Sequence, residues 1–378
     1  MSEIAYANQE EIFVVKETVS GTLVKPGAND RVYTVGAVDF GQDQERLEDE
    51  QIRASASRFS TITARKLAGE FSFDTYVKPS GTGGTAPEHD VLFECLMGSG
   101  GQSGNTYEYT LADELPSFSL WVKKGHTVVA ARGATVESAE FSISGDALAM
   151  ISWSGRYMEE IRAGTAYTAS IAGSTLTMQG DGAERFSVGA YVEVGNDDNG
   201  GAGYKITAIN TSAKTIELDG SPSVSGVQLV TPWWPTAGAE VGRPQHGKLG
   251  LCTIEGNSAV ILNASVSVTN NIKYYEDEKN NKLVAERYGR PGFREIEGSL
   301  TLYFLRSGAS YFYRSSQETS NSIIIPVGNK TGYIMELQIP YAEYRTPRVT
   351  GDEEFQEEIP FIAVASASQN DEFKIVFK

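Results

Sequence analysis

Residues 69–76 read GEFSFDTY and residues 298–304 read GSLTLYF. Each stretch opens on a glycine and then alternates polar and apolar side chains. That period of two belongs to a strand with one packed and one wet face. Phe71 and Phe73 share the apolar face, with Glu70, Ser72 and Asp74 opposite. In the second stretch Leu300, Leu302 and Phe304 share a face, with Ser299 and Thr301 opposite. One such strand is any half-buried sheet. Two of them, with the wet face small or acidic both times, need a common cause.

The surroundings repeat as well. Val38 lies 31 positions before Gly69, and Val266 lies 32 before Gly298. Each span begins in a strand (AVDF, SVSV), passes a charged stretch (QDQERLEDEQIR, KYYEDEKNNK) and then a basic-aromatic one (SRFSTITARK, ERYGRPGFRE). A Gly-Asp pair follows 76 residues after Gly69, at Gly145-Asp146, and 53 after Gly298, at Gly351-Asp352. The first copy therefore holds additional chain, which the segment EHDVLFECLM and the loops SGTGGTA and GSGGQSG supply. EHDVLFECLM is the one clear helical pattern, with Pro87 before it and Val91, Leu92 and Cys95 on one face. Arg156–Arg162 reads as a weaker helical turn.

Elsewhere the texture is β: short alternating runs between Gly, Ser, Asn and Asp clusters, with 39 Gly marking frequent turns. Between the copies, RFSVGAYVEVGNDDNGGAGYKITAINTSAKTIELDG turns at GNDDNGG and NTSAK. It reads as an inserted small antiparallel barrel of four or five strands, with GTAYTAS and TPWWPTAG as linkers. The expected fold class is mainly β. The expected units are residues 1–163, an insert over 164–237 and residues 238–378.

Composition narrows the function. The net charge is −17, with 49 acids against 32 bases, which disfavours tight binding to nucleic acid because phosphates must be neutralised by Lys and Arg. Cys95 and Cys252 stand far apart and suit a reducing compartment. No apolar run approaches a membrane span of about 18 residues, and MSEIAYANQEEIF lacks the form of a signal peptide. His89, His126 and His246 are isolated, with no metal-ligand spacing. SGTGGT lacks the lysine of a phosphate-binding loop, and NDDNGG lacks the spaced ligands of a calcium loop. The acidic runs around Glu45–Glu50, Glu276–Glu278 and Glu353–Glu358 read as solvated faces. No enzyme, cofactor or metal is expected.

Three stretches, residues 53–99, 115–146 and 265–304, resemble the tail tube (major tail) proteins of long-tailed bacteriophages. They cover most of both copies but not the insert. The resemblance implies two tandem β-sandwich or partial-barrel domains with a flanking short helix. It implies rings stacked into a tube through which DNA passes without specific binding. Glu70, Ser72, Asp74, Glu140, Ser142, Ser299 and Thr301 are then candidates for the lumen. The charged segments 42–58 and 273–294 correspond to a long loop that contacts the next subunit or ring, with Glu45, Glu48, Asp49, Arg53, Arg58, Tyr274, Glu276, Asp277, Arg287 and Arg290 as contact candidates. Where single-domain relatives form six-unit rings, a chain with two units would close as a trimer. The implied partners are further copies of the chain, tape-measure and tail-tip or terminator proteins, with no membrane. The implied location is the virion tail, after assembly in the host cytoplasm. Two alternatives remain: a baseplate or distal-tail ring protein of related fold, and a β-sandwich that binds or cleaves polysaccharide. Trp233-Trp234 is the aromatic pair that the second would need.

Overall fold

The computed structural model describes residues 9–51, 57, 60–280, 282–304, 311–317, 320–351 and 354–378. The first part of the chain forms β1 (Glu10–Lys16), β2 (Arg31–Val32), β3 (Val35–Gly41), β4 (Gln44–Glu48), β5 (Thr61–Lys66) and β6 (Gly69–Tyr76). Helix α1 (Asp90–Met97) follows, then β7 (Gly98–Ser103), β8 (Thr106–Leu111), β9 (Phe118–Lys124), β10 (Thr127–Ser144), β11 (Met150–Tyr157) and β12 (Glu159–Ala163). The segment 156–162, expected as a helical turn, is extended across β11 and β12. Ile161 and Ala163 face inward with the exposed Arg162 between them, so burial there follows a period of two.

Two sheets result. In one, β3 pairs with β6, β6 with β11, and β11 with the C-terminal part of β10. In the other, the N-terminal part of β10 lies between β12 and β9, and β9 continues to β1 and β2. The 18-residue strand β10 thus crosses from one sheet to the other, with a bulge between Val136 and Ser138 at the crossing. Bulges bend and twist a strand, which permits the transfer. Helix α1 packs Leu92, Phe93, Cys95, Leu96 and Met97 into the space between the sheets. It ends at Gly98, whose φ of 98° is a left-handed conformation favoured by glycine.

The insert forms β13 (Tyr167–Ala172), β14 (Thr175–Met178), β15 (Tyr191–Val194), β16 (Tyr204–Asn210), β17 (Thr215–Leu218) and β18 (Gly226–Pro232). These close into a six-stranded barrel in the order β13, β14, β17, β16, β15, β18. The sequence reading had fewer strands because it assigned Tyr167–Ser170 and Thr231–Pro232 to linkers. Both belong to barrel strands, and Trp233 is buried.

The last part of the chain forms β19 (Cys252–Ile254), β20 (Asn257–Ala259), β21 (Ile261–Thr269), β22 (Lys273–Tyr274), β23 (Tyr288–Gly289) and β24 (Glu295–Tyr303). Then come α2 (Tyr311–Ser315), β25 (Asn321–Val327), β26 (Met335–Tyr344), β27 (Arg348–Thr350), β28 (Gln356–Ala363) and β29 (Lys374–Phe377). Here β21 pairs with β24, β24 with β28, and β28 with the end of β26 and its continuation β27. The start of β26 lies between β29 and β25, and β25 continues to β19. This is the pairing order of the first part, with β21, β24, β28, β26, β25 and β19 in the places of β3, β6, β11, β10, β9 and β1. Helix α2 stands where α1 does but has five residues, none buried.

One hydrophobic core spans both parts. Among the described residues they are joined along strands by β10 with β21 and by β8 with β29, and by an isolated bridge between Leu148 and His246.

Candidate functional site

The β10–β21 junction runs from Ser138↔Thr269 to Ser144↔Asn263 and merges the two sheets into one. The strands β3, β6, β11, β10, β21, β24 and β28 are therefore continuous, and the two stretches that open the sequence reading lie in a single sheet. Its inner face carries Phe71, Phe73, Ile151, Trp153, Phe141, Val266, Leu300 and Phe361, all buried. Trp153 also satisfies its indole, donating to Thr75 Oγ1 at 2.9 Å. Beyond the strand end the pattern lapses, and Phe304 is 51% exposed.

The outer face is polar over most of its rows, with Tyr76, Met150, Pro360 and Ile362 as exceptions. Asp74, Ser152, Glu140, Ser267 and Glu297 stand opposite one another across five strands. Ser72, Ser154, Ser138, Thr269 and Glu295 form the next row. Ser142, Ser265 and Ser299 form a third, and Asn263, Thr301 and Glu358 a fourth. Serine hydroxyls bridge the strands, with Ser138 and Ser154 at 2.8 Å and Ser265 and Ser299 at 3.1 Å. Glu70, at the end of its strand, is 3.6 Å from Arg156, which also meets Glu137 at 3.2 Å. The face is thus a floor of small hydroxyls studded with carboxylates. Short side chains keep it flat, and the acids give it a negative potential.

All seven residues expected on a common wet face, Glu70, Ser72, Asp74, Glu140, Ser142, Ser299 and Thr301, lie on this one. The sequence reading missed Ser138, Ser152, Ser154, Ser265, Ser267, Thr269, Glu295, Glu297 and Glu358. The alternation in MISWSG and SVSVT carries the same signal, but only the pairing of β10 with β21 places those strands beside the others.

The insert lies on the other side of the body. The outer side of the second sheet presents Phe13, Trp121, Val128, Ala130, Ile161 and Ala163, and these share a core with Ala169, Leu176, Val192, Ile206 and Val230 of the barrel. Strands β1 and β9 are consequently buried on both faces, which accounts for the apolar run IFVV and for FSLWV, interrupted by Ser119, whose hydroxyl donates to Glu17 Oε1 at 2.9 Å. Polar face, body core, second sheet and insert follow one another as layers.

This arrangement, a continuous polar strip built twice by one chain and backed by a decorating barrel, agrees with what comparison finds. A family profile described as Phage tail tube protein matches residues 7–363. The chain belongs to the phage tail tube protein family. No curated protein matches it. The tail tube chain is accordingly a structural component of a virion tail. Among its described residues no helix is long and apolar enough to cross a membrane.

The contact candidates divide. In this tail tube chain the hairpin β4–β5 carries Glu45 and Glu48 with every residue of β4 exposed. Asp49 follows it, while Arg53 and Arg58 lie outside the described residues. Arg65 pairs with Glu45 at 2.8 Å and also with Asp277, so the charged segments of the two parts touch within one chain. Lys66 N–H donates to Leu283 O at 2.7 Å, and Ala68 N–H to Glu276 Oε1 at 2.6 Å. Arg287 pairs with Glu278 at 2.8 Å, and Arg290 with Asp113 at 3.5 Å. Tyr274 departs from its expected role. It is 5% exposed, and its hydroxyl sits 2.9 Å from Gly133 O and 2.8 Å from Arg156 O. Burial drives its phenol well above the usual value. The aromatic ring that looked like a contact group serves as an internal anchor.

Proposed function

We propose that the chain assembles into rings that stack as a tube, with the polar face of β3, β6, β11, β10, β21, β24 and β28 lining the lumen. The observation that carries this reading is the single acid-rich face shared by both parts of the chain, with the insert on the opposite side of the body. Acids along the wall repel DNA phosphates, and the arginines beside it, Arg156 and Arg345, are engaged by Glu70 and Glu137 and by Glu297, so DNA slides without adhering. The chain works as a conduit and not as an enzyme.

The two parts, 1–163 and 238–378, share one pairing order and are read as duplicated tube domains around the insert 164–237. Three chains would then supply six units, giving a homotrimeric ring with true threefold and approximate sixfold symmetry. Glu45, Glu48, Asp49, Asp277 and Arg287, on the charged arms, are the candidates for contact with the next ring. Tape-measure protein inside the tube, and terminator and tail-tip proteins at its ends, are the further partners. Assembly in the host cytoplasm precedes DNA ejection.

Negative-stain and symmetry analysis of the purified, concentrated chain tests the reading. Filaments with a threefold outline and a nearly sixfold pore are expected. Isolated rings that never stack would favour a distal-tail ring protein. Dispersed monomers, or six chains per ring, would overturn the reading.

A further inference from the structure

Trp233 and Trp234 are neighbours in the sequence, and the fold gives them different surroundings. Trp233 is buried in the core of the insert, whereas Trp234 stays half-buried where the insert meets the second sheet. There a cleft of about 830 Å³ opens, bordered by Lys123, His126, Thr165, Arg185, Thr231 and Trp234. We propose that this cleft binds an acidic saccharide, its carboxylates held by the cations and an apolar ring face by the indole. Binding is a property of the chain itself. The inference rests on the tube reading only for the outward placement of the cleft.

Three elements build the site. Strands β9 and β10 meet in a tight hairpin, with Thr127 opposite Lys124 and Gly125 left-handed at a φ of 62°. That turn brings Lys123 and His126 to one wall. Thr165 precedes β13, Thr231 lies near the end of β18, and Arg185 closes the short 3-10 turn Gly182–Arg185. The indole is fixed in place. Its N–H donates to Glu11 Oε2 at 2.8 Å, and Phe13 packs edge-on with ring centroids 5.2 Å apart. Lys123 Nζ lies 5.6 Å from the Trp234 ring centroid, close enough for one sugar unit to meet both.

Charge sets this recess apart from the others. The chain has a net charge of −17, yet no residue bordering the cleft is acidic. The recess at His89 borders Glu88 and Asp90, the one beyond the end of β10 borders Asp146, and the one on the polar face borders Asp39 and Glu70. Among the described residues Lys123 and His126 have no ion pair. Arg185 has Asp181 at 3.8 Å and the Tyr167 ring at 5.1 Å, and Asp181 also accepts from the Tyr167 hydroxyl at 3.0 Å. The hydroxyls of Thr165 and Thr231 have no hydrogen-bond partner among the described residues. Available cations, open hydroxyls and an apolar indole together complement a uronic acid. Its carboxylate suits the cations through charge-assisted bonds, its hydroxyls suit the threonines, and its C–H face suits the indole. An acidic peptide would engage the cations and leave the threonines and the indole unused. The volume falls within the roughly 300–1,000 Å³ of ligand sites.

Calorimetric titration of the full chain at low ionic strength tests the site, with a galacturonic acid tetramer as the probe. Saturable binding is expected, and a neutral galactose tetramer and tetraglutamate should each bind about tenfold more weakly or worse. Lys123→Gln and Arg185→Gln should each weaken the acidic sugar about tenfold. Lys205→Gln, at an exposed lysine of the insert outside the cleft, should leave binding unchanged. The sugar should also shield Trp234 from acrylamide quenching, the other three tryptophans being buried. No saturable binding to the folded chain, or binding indifferent to both cleft variants, would overturn the proposal. So would a neutral tetramer or tetraglutamate bound as tightly as the acidic sugar. Should Lys123→Gln impair folding, Arg185→Gln decides alone, since that side chain is 46% exposed. Sugar binding by a chain that never forms tubes would sink the tube reading and leave the cleft standing. Tubes that bind no sugar would do the reverse.

Discussion

His89 precedes α1 with its ring fully buried and neither nitrogen hydrogen-bonded to protein. It borders a cavity of about 210 Å³ shared with Arg31, Tyr33, Glu88 and Gly238. Beside it, Lys78 places a nearly inaccessible ammonium between Glu88 and Glu240, 2.5 Å from each. Burial, and secondarily the Lys78 charge, lower the imidazole pKa to about 3. The unfolded chain takes up this proton as pH falls through about 6.5, whereas the folded chain resists until about 3. His89 therefore costs stability progressively between those limits as acid is added. Glu88 and Asp90, both raised by burial, act in the opposite sense, so the effect is read as a difference between variants. In urea titrations at pH 7 and pH 4.5, His89→Phe should lose less stability than wild type by on the order of 2 kcal/mol. Equal losses would show that the ring is hydrated enough to titrate normally. At this scale the sequence told half the story. The inward Phe71 and Phe73 and outward Glu70, Ser72 and Asp74 were legible because alternation is local. The burial of His89 was not, since the roof of its cavity comes from Gly238–Val241, far along the chain.

At the scale of elements, many strands and the one substantial helix followed from periodicity, but GSGGQSG, expected as a loop, holds β7, 156–162 is extended, and the joints between modules were not legible. TPWWPTAG has the composition of a linker, yet Trp233 is buried against Trp121, with ring centroids 5.8 Å apart. Its indole donates to Gly201 O at 3.0 Å, and that of Trp234 to Glu11 Oε2 at 2.8 Å. Proline and glycine nearby signalled a boundary, and only contact with another module reveals that the boundary is packed. The insert is therefore no detachable ornament. Replacing residues 165–235 by a short Gly/Ser linker would uncover Phe13, Trp121, Val128 and Ile161, each worth about 1.5–3 kcal/mol when buried. The expected product is an aggregating chain whose strands still pair. Adding Phe13→Thr, Trp121→Thr and Ile161→Thr to the deletion should recover soluble protein. A deletion as soluble as wild type by analytical ultracentrifugation would show that the shared core contributes little.

At the scale of the whole molecule, carboxylates from both parts of the chain gather on one surface. Asp74, Glu140 and Glu297 belong to different strands and to both parts of the chain, yet they stand in one row across the sheet. Nothing in their sequence positions announces this, because the row exists only once β10 and β21 pair. Each lies on the wet face, where substitution away from the core usually changes stability by less than about 0.5 kcal/mol, and the half-exposed pair of Glu297 with Arg345 adds at most about 1 kcal/mol. Changing all three to Lys should therefore leave the fold and the tube unharmed. If the row lines the lumen, a ring of three chains would exchange nine carboxylates for nine ammonium groups, roughly the number of phosphate contacts at which affinity depends steeply on salt. DNA release from virions carrying the variant should then be slowed at low ionic strength and recover as salt is raised, whereas wild-type release should be far less sensitive. The readout is the rate of DNA release triggered in vitro across a salt series. A variant that assembles normally and releases DNA at the wild-type rate throughout that series would place the row somewhere other than the path of the DNA.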